Sequence, residues 1–296
     1  MREKIVTFAE TVPAAFWVLA AAGFYFLYRI PAVLLAGESL PAQALLFVVL
    51  TLAVVILTLW LYSTWDFGLK PDTAGDGFSI ACLLLLPVVG ELMTTLCVAP
   101  VSLGQLFWLI VYSIGRGAFE AVLFLGVLMT HMMRIWNGRE FRGLASGITA
   151  GLLAAMACVI DIMTGKIGAE VMVQALTIFA LVFGLSAVFI RTRNLWPCMT
   201  VLILHYFAAG LYRIYEPGMD GMLPHAISSH GFLQLFTVMV SAFMVILGLG
   251  IAIFLLYLEM DEGEDERWHE ARWDPIPATE MDEAVIFERQ MENKEK

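Results

Sequence analysis

Charge is what this chain lacks first: Asp, Glu, Lys and Arg together make up 15 % of its 296 residues, against about 25 % in ordinary soluble domains. Histidine is scarcer, with five residues in all and none between His131 and His205. The four cysteines, Cys82, Cys97, Cys158 and Cys198, stand singly inside apolar segments without a C-x-x-C pair, so they carry no redox motif and read as packed thiols. No basic surface interleaved with aromatic residues is present, which excludes nucleic acid as a partner. Neither an internal repeat nor a matched pair of interrupted helices, the mark of many transporters, can be found.

What is there is hydrophobic. Apolar residues make up 60 % of the chain and the mean hydropathy is +0.82, with runs much longer than a soluble core helix needs. The fold class that follows is all-α, a polytopic membrane protein. Hydropathy predicts about eight transmembrane helices, over 12–36, 42–63, 78–100, 104–135, 143–164, 169–190, 195–214 and 231–258. The first is expected to be a retained span and not a cleaved signal, because its apolar run continues through FYFLY. Eight Lys and Arg residues fall on one side of this arrangement (Arg2, Lys4, Lys70, Arg134, Arg139, Arg142, Arg191, Arg193) and three on the other (Arg29, Lys166, Arg213). The excess of basic residues puts both termini in the cytoplasm.

The net charge of −10 misleads, because from Glu259 onward there are 14 acids against 5 bases. Residues 1–258 therefore form a nearly neutral membrane domain, and 259–296 an acidic cytoplasmic tail. That tail is too charged to bury a core in its first half. Thr279 and Asp282 resemble a capping box ahead of Met281, Val285 and Ile286, predicting a short helix over 280–291 that can dock a cytoplasmic partner.

Function is to be sought in the few ionisable groups inside the spans. Arg116 and Glu120 lie four apart in the fourth span, hence on one helix face, where a structural ion pair competes with a catalytic role. His131 follows Glu120 by eleven residues, about three α-helical turns, too far along the axis to share a small site with it. His205 stands in the seventh span, and a carboxylate beside an imidazole is a sensible general-base pair. Glu91 reads as a group near a helix end kinked after Pro87 and Gly90. Asp161 reads as a helix-end carboxylate or a polar member of the membrane site. Asp220, His225 and His230 lie in a solvated outer loop and match no zinc pattern, so no metal and no cofactor is expected. Gly147, Gly151 and Ala155 form a small-residue strip for close helix packing.

Around Glu120 the sequence resembles the CPBP family, the intramembrane proteases that include the CAAX prenyl endopeptidases and the bacteriocin-processing Abi proteins. EAVLFLGVL, Glu120 to Leu128, is similar to the family block E-E-x-x-x-R followed by Gly. FALVFGLSAVFIRTRNLWPCMTVLILHYFAA, Phe179 to Ala209, resembles the block that contains H-x-x-x-N, and WDFGLKP resembles the lead-in to the third span. The likeness runs over roughly residues 64 to 210. It implies that Glu120 stands at the position that activates water and His205 at the position that helps hold the oxyanion. Ala121 stands where the family has its second Glu, Leu125 where it has Arg, and Ala209 where it has Asn. The second-motif His has no counterpart; its place falls near Leu153 to Ala157, with Asp161 one or two turns further on.

Three functions follow as expectations. A CPBP-type protein with a degenerate protease site would bind, chaperone or form a complex. An active endopeptidase would use Glu120, His205 and Asp161 on membrane-associated or prenylated peptides. A transporter or channel would use Arg116, Glu120 and Asp161 as a polar path. The expected surroundings are membrane lipid, a membrane protein or lipidated peptide as partner, and a bacterial or archaeal plasma membrane.

Overall fold

In the computed structural model the described residues are 5, 12–34, 40–61, 67–69, 74–96, 102–136, 141–156, 169–215 and 231–261. They form eight helices: α1 (Pro13–Leu34), α2 (Leu40–Leu61), α3 (Ala74–Leu96), α4 (Leu103–Ile135), α5 (Arg142–Ala155), α6 (Ala169–Thr192), α7 (Leu195–Tyr215) and α8 (Gly231–Asp261). No strand occurs among the described residues. The chain is an integral membrane protein: α2, α4 and α6 contain stretches long and apolar enough to cross a bilayer, and α1, α3, α7 and α8 contain shorter ones.

Local chemistry sets several helix ends. Pro13 opens α1, where its missing N–H costs nothing. Ser102 caps α4 through a reciprocal box: its hydroxyl accepts from the Gln105 N–H at 3.3 Å, and the Ser102 N–H donates to Gln105 Oε1 at 3.3 Å. Asn194 begins α7 by accepting the Trp196 N–H on Oδ1 at 2.9 Å. Pro87 lies inside α3 and the helix continues past it to Leu96.

α4 is the axis of the bundle. It packs against α2 and α7, and its middle also meets α1 and α5. The helix is α-helical over Leu103–Glu120, π-helical over Ala121–Met129 and α-helical again over Thr130–Ile135. All nine π-helical residues are buried. Such i→i+5 segments are rare beyond a single turn and occur often at functional sites. This one takes more residues per turn than an α-helix, so the three-turn spacing from Glu120 to His131 does not carry over. His131 instead stacks on Trp17 of α1, with ring centroids 3.6 Å apart and planes within 13°.

Close approaches fix the other contacts. The strip on α5 receives two rings of α6: a Cβ at Gly147 would sit 3.0 Å from Phe183, and one at Gly151 3.0 Å from Phe179. α6 in turn touches α8 backbone to backbone, since a Cβ on Gly248 would stand 2.4 Å from the Ala180 carbonyl oxygen. The 67–69 segment is pinned to the α6–α7 turn, where Gly68 accepts the Leu195 N–H at 2.7 Å and Leu69 accepts the Trp196 indole N–H at 2.9 Å. Gly68 has φ 68°, and a Cβ there would meet the Arg193 carbonyl oxygen at 2.7 Å, so both its backbone and its surroundings call for glycine. Arg193, across that contact, also adopts positive φ, at 51°.

Candidate functional site

Two antiparallel helices build the site. Leu109 of α4 faces Gly210 of α7, and further along α4 Gly117 faces Ile203. A Cβ on Gly117 would lie 2.7 Å from the Ile203 backbone nitrogen, so this glycine lets α4 and α7 touch closely. Tyr112, Arg116 and Glu120 follow one another at four-residue spacing along the same face of α4.

The Arg116 guanidinium is fixed from several directions. Its Nε donates to Glu120 Oε1 at 3.1 Å and its Nη1 to the Tyr112 hydroxyl at 2.8 Å. The Tyr206 ring of α7 lies over Cζ at 3.9 Å, and the Phe47 ring of α2 is 6.0 Å away. Glu120 is 1 % exposed and its second oxygen, Oε2, accepts the Tyr206 hydroxyl. Among the described residues, the side chains that hydrogen-bond Glu120 are therefore Arg116 and Tyr206. A buried ion pair survives in an apolar bundle only when its remaining hydrogen-bonding positions are met, and here two phenols help to meet them.

His205 adjoins this cluster without bonding Glu120. It is half-buried on α7, its ring 5.3 Å from that of Tyr206 and tilted by 59°, and it lies within electrostatic reach of Arg116. Ala121 and Leu125 are fully buried in the π-helical segment, Leu153 is buried on α5, and Ala209 follows His205 by one turn. Asp161, Asp220, His225 and His230 lie outside the described residues, as does the tail beyond Asp261. His131 sits beyond the π-helical segment from Glu120.

Residues 102–208, from the cap of α4 to the middle of α7, match the family model described as type II CAAX prenyl endopeptidase Rce1-like. This stretch, a little over a third of the chain, is similar to that family. The Rce1-like region holds Tyr112, Arg116, Glu120, His205 and Tyr206, while α1 to α3 and α8 lie outside the match. The chain has no significant match among curated proteins or solved structures.

Sequence reasoning missed the tyrosines. Hydropathy counts them with the apolar residues, yet a buried phenol needs a hydrogen-bond partner. Tyr112, one turn before Arg116, carried a usable signal. Tyr206 carried less, because its relation to Glu120 depends on how α7 is rotated against α4.

Proposed function

We propose that this Rce1-like protein has exchanged water activation for a structural polar clamp, and that it works as a binding, chaperoning or complex-forming subunit toward a membrane protein or lipidated peptide. The observation that carries this reading is the occupation of both Glu120 oxygens, one by Arg116 and the other by Tyr206, in a side chain only 1 % exposed. A general base must stand within hydrogen-bond reach of the water whose proton it takes. Here the donors around the carboxylate are a guanidinium and a phenol, and neither replaces an imidazole that shares the water.

The motif letters support the same reading. The resemblance calls for a second Glu, an Arg, a His on α5 and an Asn, and this chain has Ala121, Leu125, no histidine between His131 and His205, and Ala209. Loss of one general base or oxyanion donor commonly costs about 10²- to 10⁴-fold in rate. The protein is assigned on the resemblance to a bacterial or archaeal plasma membrane, with the acidic segment from Glu259 onward as its cytoplasmic contact.

Genetic complementation tests the proposal. Arg116→Met with Glu120→Leu removes both charges while keeping side-chain volume, and it is expected to restore the phenotype of a deletion strain in full. A stably inserted double variant that restores nothing contradicts the proposal.

A further inference from the structure

One side chain of α7 touches both members of the ion pair. Tyr206 lays its ring 3.9 Å from the Arg116 Cζ and donates a hydrogen bond from its hydroxyl to Glu120 Oε2. The ring and the hydroxyl act separately: the ring covers a desolvated cation, and the hydroxyl fixes the carboxylate oxygen that Arg116 Nε does not hold. Phenylalanine could do the first and not the second. Successive residues of an α-helix point about 100° apart, so α7 cannot aim His205 and Tyr206 at one point. Its rotation against α4 presents the phenol to Glu120.

We propose that Tyr206 is a positioning residue that locks Glu120 into the Arg116 pair, its hydroxyl standing where the family resemblance calls for water shared between the carboxylate and an imidazole. The proposal rests on the clamp reading of the site and names the group that closes the clamp. Tyr112 makes the contrast within the same cluster, because its phenol accepts from Arg116 and does not touch Glu120.

The test is isotope-edited infrared spectroscopy of the full chain in lipid nanodiscs, with ¹³C-labelled glutamate and the Glu120→Gln variant subtracted to isolate the Glu120 carboxylate. Tyr206→Phe is expected to shift the antisymmetric carboxylate band, whereas Tyr112→Phe leaves it in place. Tyr206→Phe should also lower the unfolding midpoint, and this loss should vanish in the Arg116→Met, Glu120→Leu background. Site-specific 3-fluorotyrosine at position 206 keeps the ring and the fold and is expected to move the same band, which preserves the test if Tyr206→Phe does not fold. An unmoved band, or an equal midpoint loss in both backgrounds, overturns the lock. Peptide cleavage by the wild-type protein would contradict the proposed function, yet it leaves the band shift standing, so the two failures are distinguishable.

Discussion

Helices α2 and α4 both have the length and apolarity of a membrane span, yet 33 % of the apolar stretch of α2 is buried inside the protein against 78 % for α4. The difference appears in how each handles polarity. On α2, Thr51 and Thr58 turn their hydroxyls back to the carbonyls of Phe47 and Val54, each at 2.8 Å, and Thr51 also lies 3.5 Å from the Gly115 carbonyl of α4, so these neutral hydroxyls are met chiefly within their own helix. α4 carries a guanidinium and a carboxylate because a neighbouring helix supplies the phenol and the aromatic face that complete their shell. A neutral hydroxyl can be met within its own helix, whereas a buried ion pair needs partners from the helices that enclose it.

Substitutions on the two helices should therefore separate widely. The largest effect is expected for Arg116→Ala, which strands the Glu120 carboxylate in the bundle and should cost about 3–5 kcal/mol, read as a lowered thermal midpoint and reduced yield in detergent. Arg116→Met with Glu120→Leu should recover most of that loss, since replacing a buried pair by apolar groups of similar volume is often neutral. Next comes Tyr206→Phe, with a loss of about 1.5–3 kcal/mol for a hydrogen bond to a charged group, measured by the same unfolding series. Gly117→Ala should follow at about 1–3 kcal/mol, because its new methyl group meets the Ile203 backbone and pushes α7 away from α4. At the small end is α2: Ile56 is 64 % exposed on its outer face, and Ile56→Leu should stay within about 0.5 kcal/mol. An Arg116→Ala protein as stable as Ile56→Leu would erase the contrast between the two helices.

Much of the fold could be read from the sequence because it depends on long apolar runs, which composition alone reveals. Eight helices appear among the described residues. The strip of Gly147 and Gly151 announced a close neighbour but not its identity, which is α6 with Phe179 and Phe183. The π-helical stretch of α4 could not be foreseen from AVLFLGVLM, whose letters suit an ordinary helix equally well. Its wider turns change the number of turns between Glu120 and His131, which still lies beyond the π-helical segment and stacks on Trp17. At the site, Arg116 and Glu120 were conspicuous because four-residue spacing on one helix is a local property. Tyr206 was not, since its bond to Glu120 spans 86 residues and depends on the packing of α7 on α4. Sequence reasoning therefore set His205 against Glu120 as the ionisable groups buried in two spans, while the carboxylate takes its hydrogen bond from the next residue along.

The account stands or falls on whether Glu120 is a clamp residue or a base. Purified full-length protein in nanodiscs, incubated with a panel of prenylated and leader peptides, gives the direct reading by mass spectrometry. Cleavage no greater than that of the Glu120→Gln variant is the predicted result. Peptide cleavage that disappears in both Glu120→Gln and His205→Ala would contradict it.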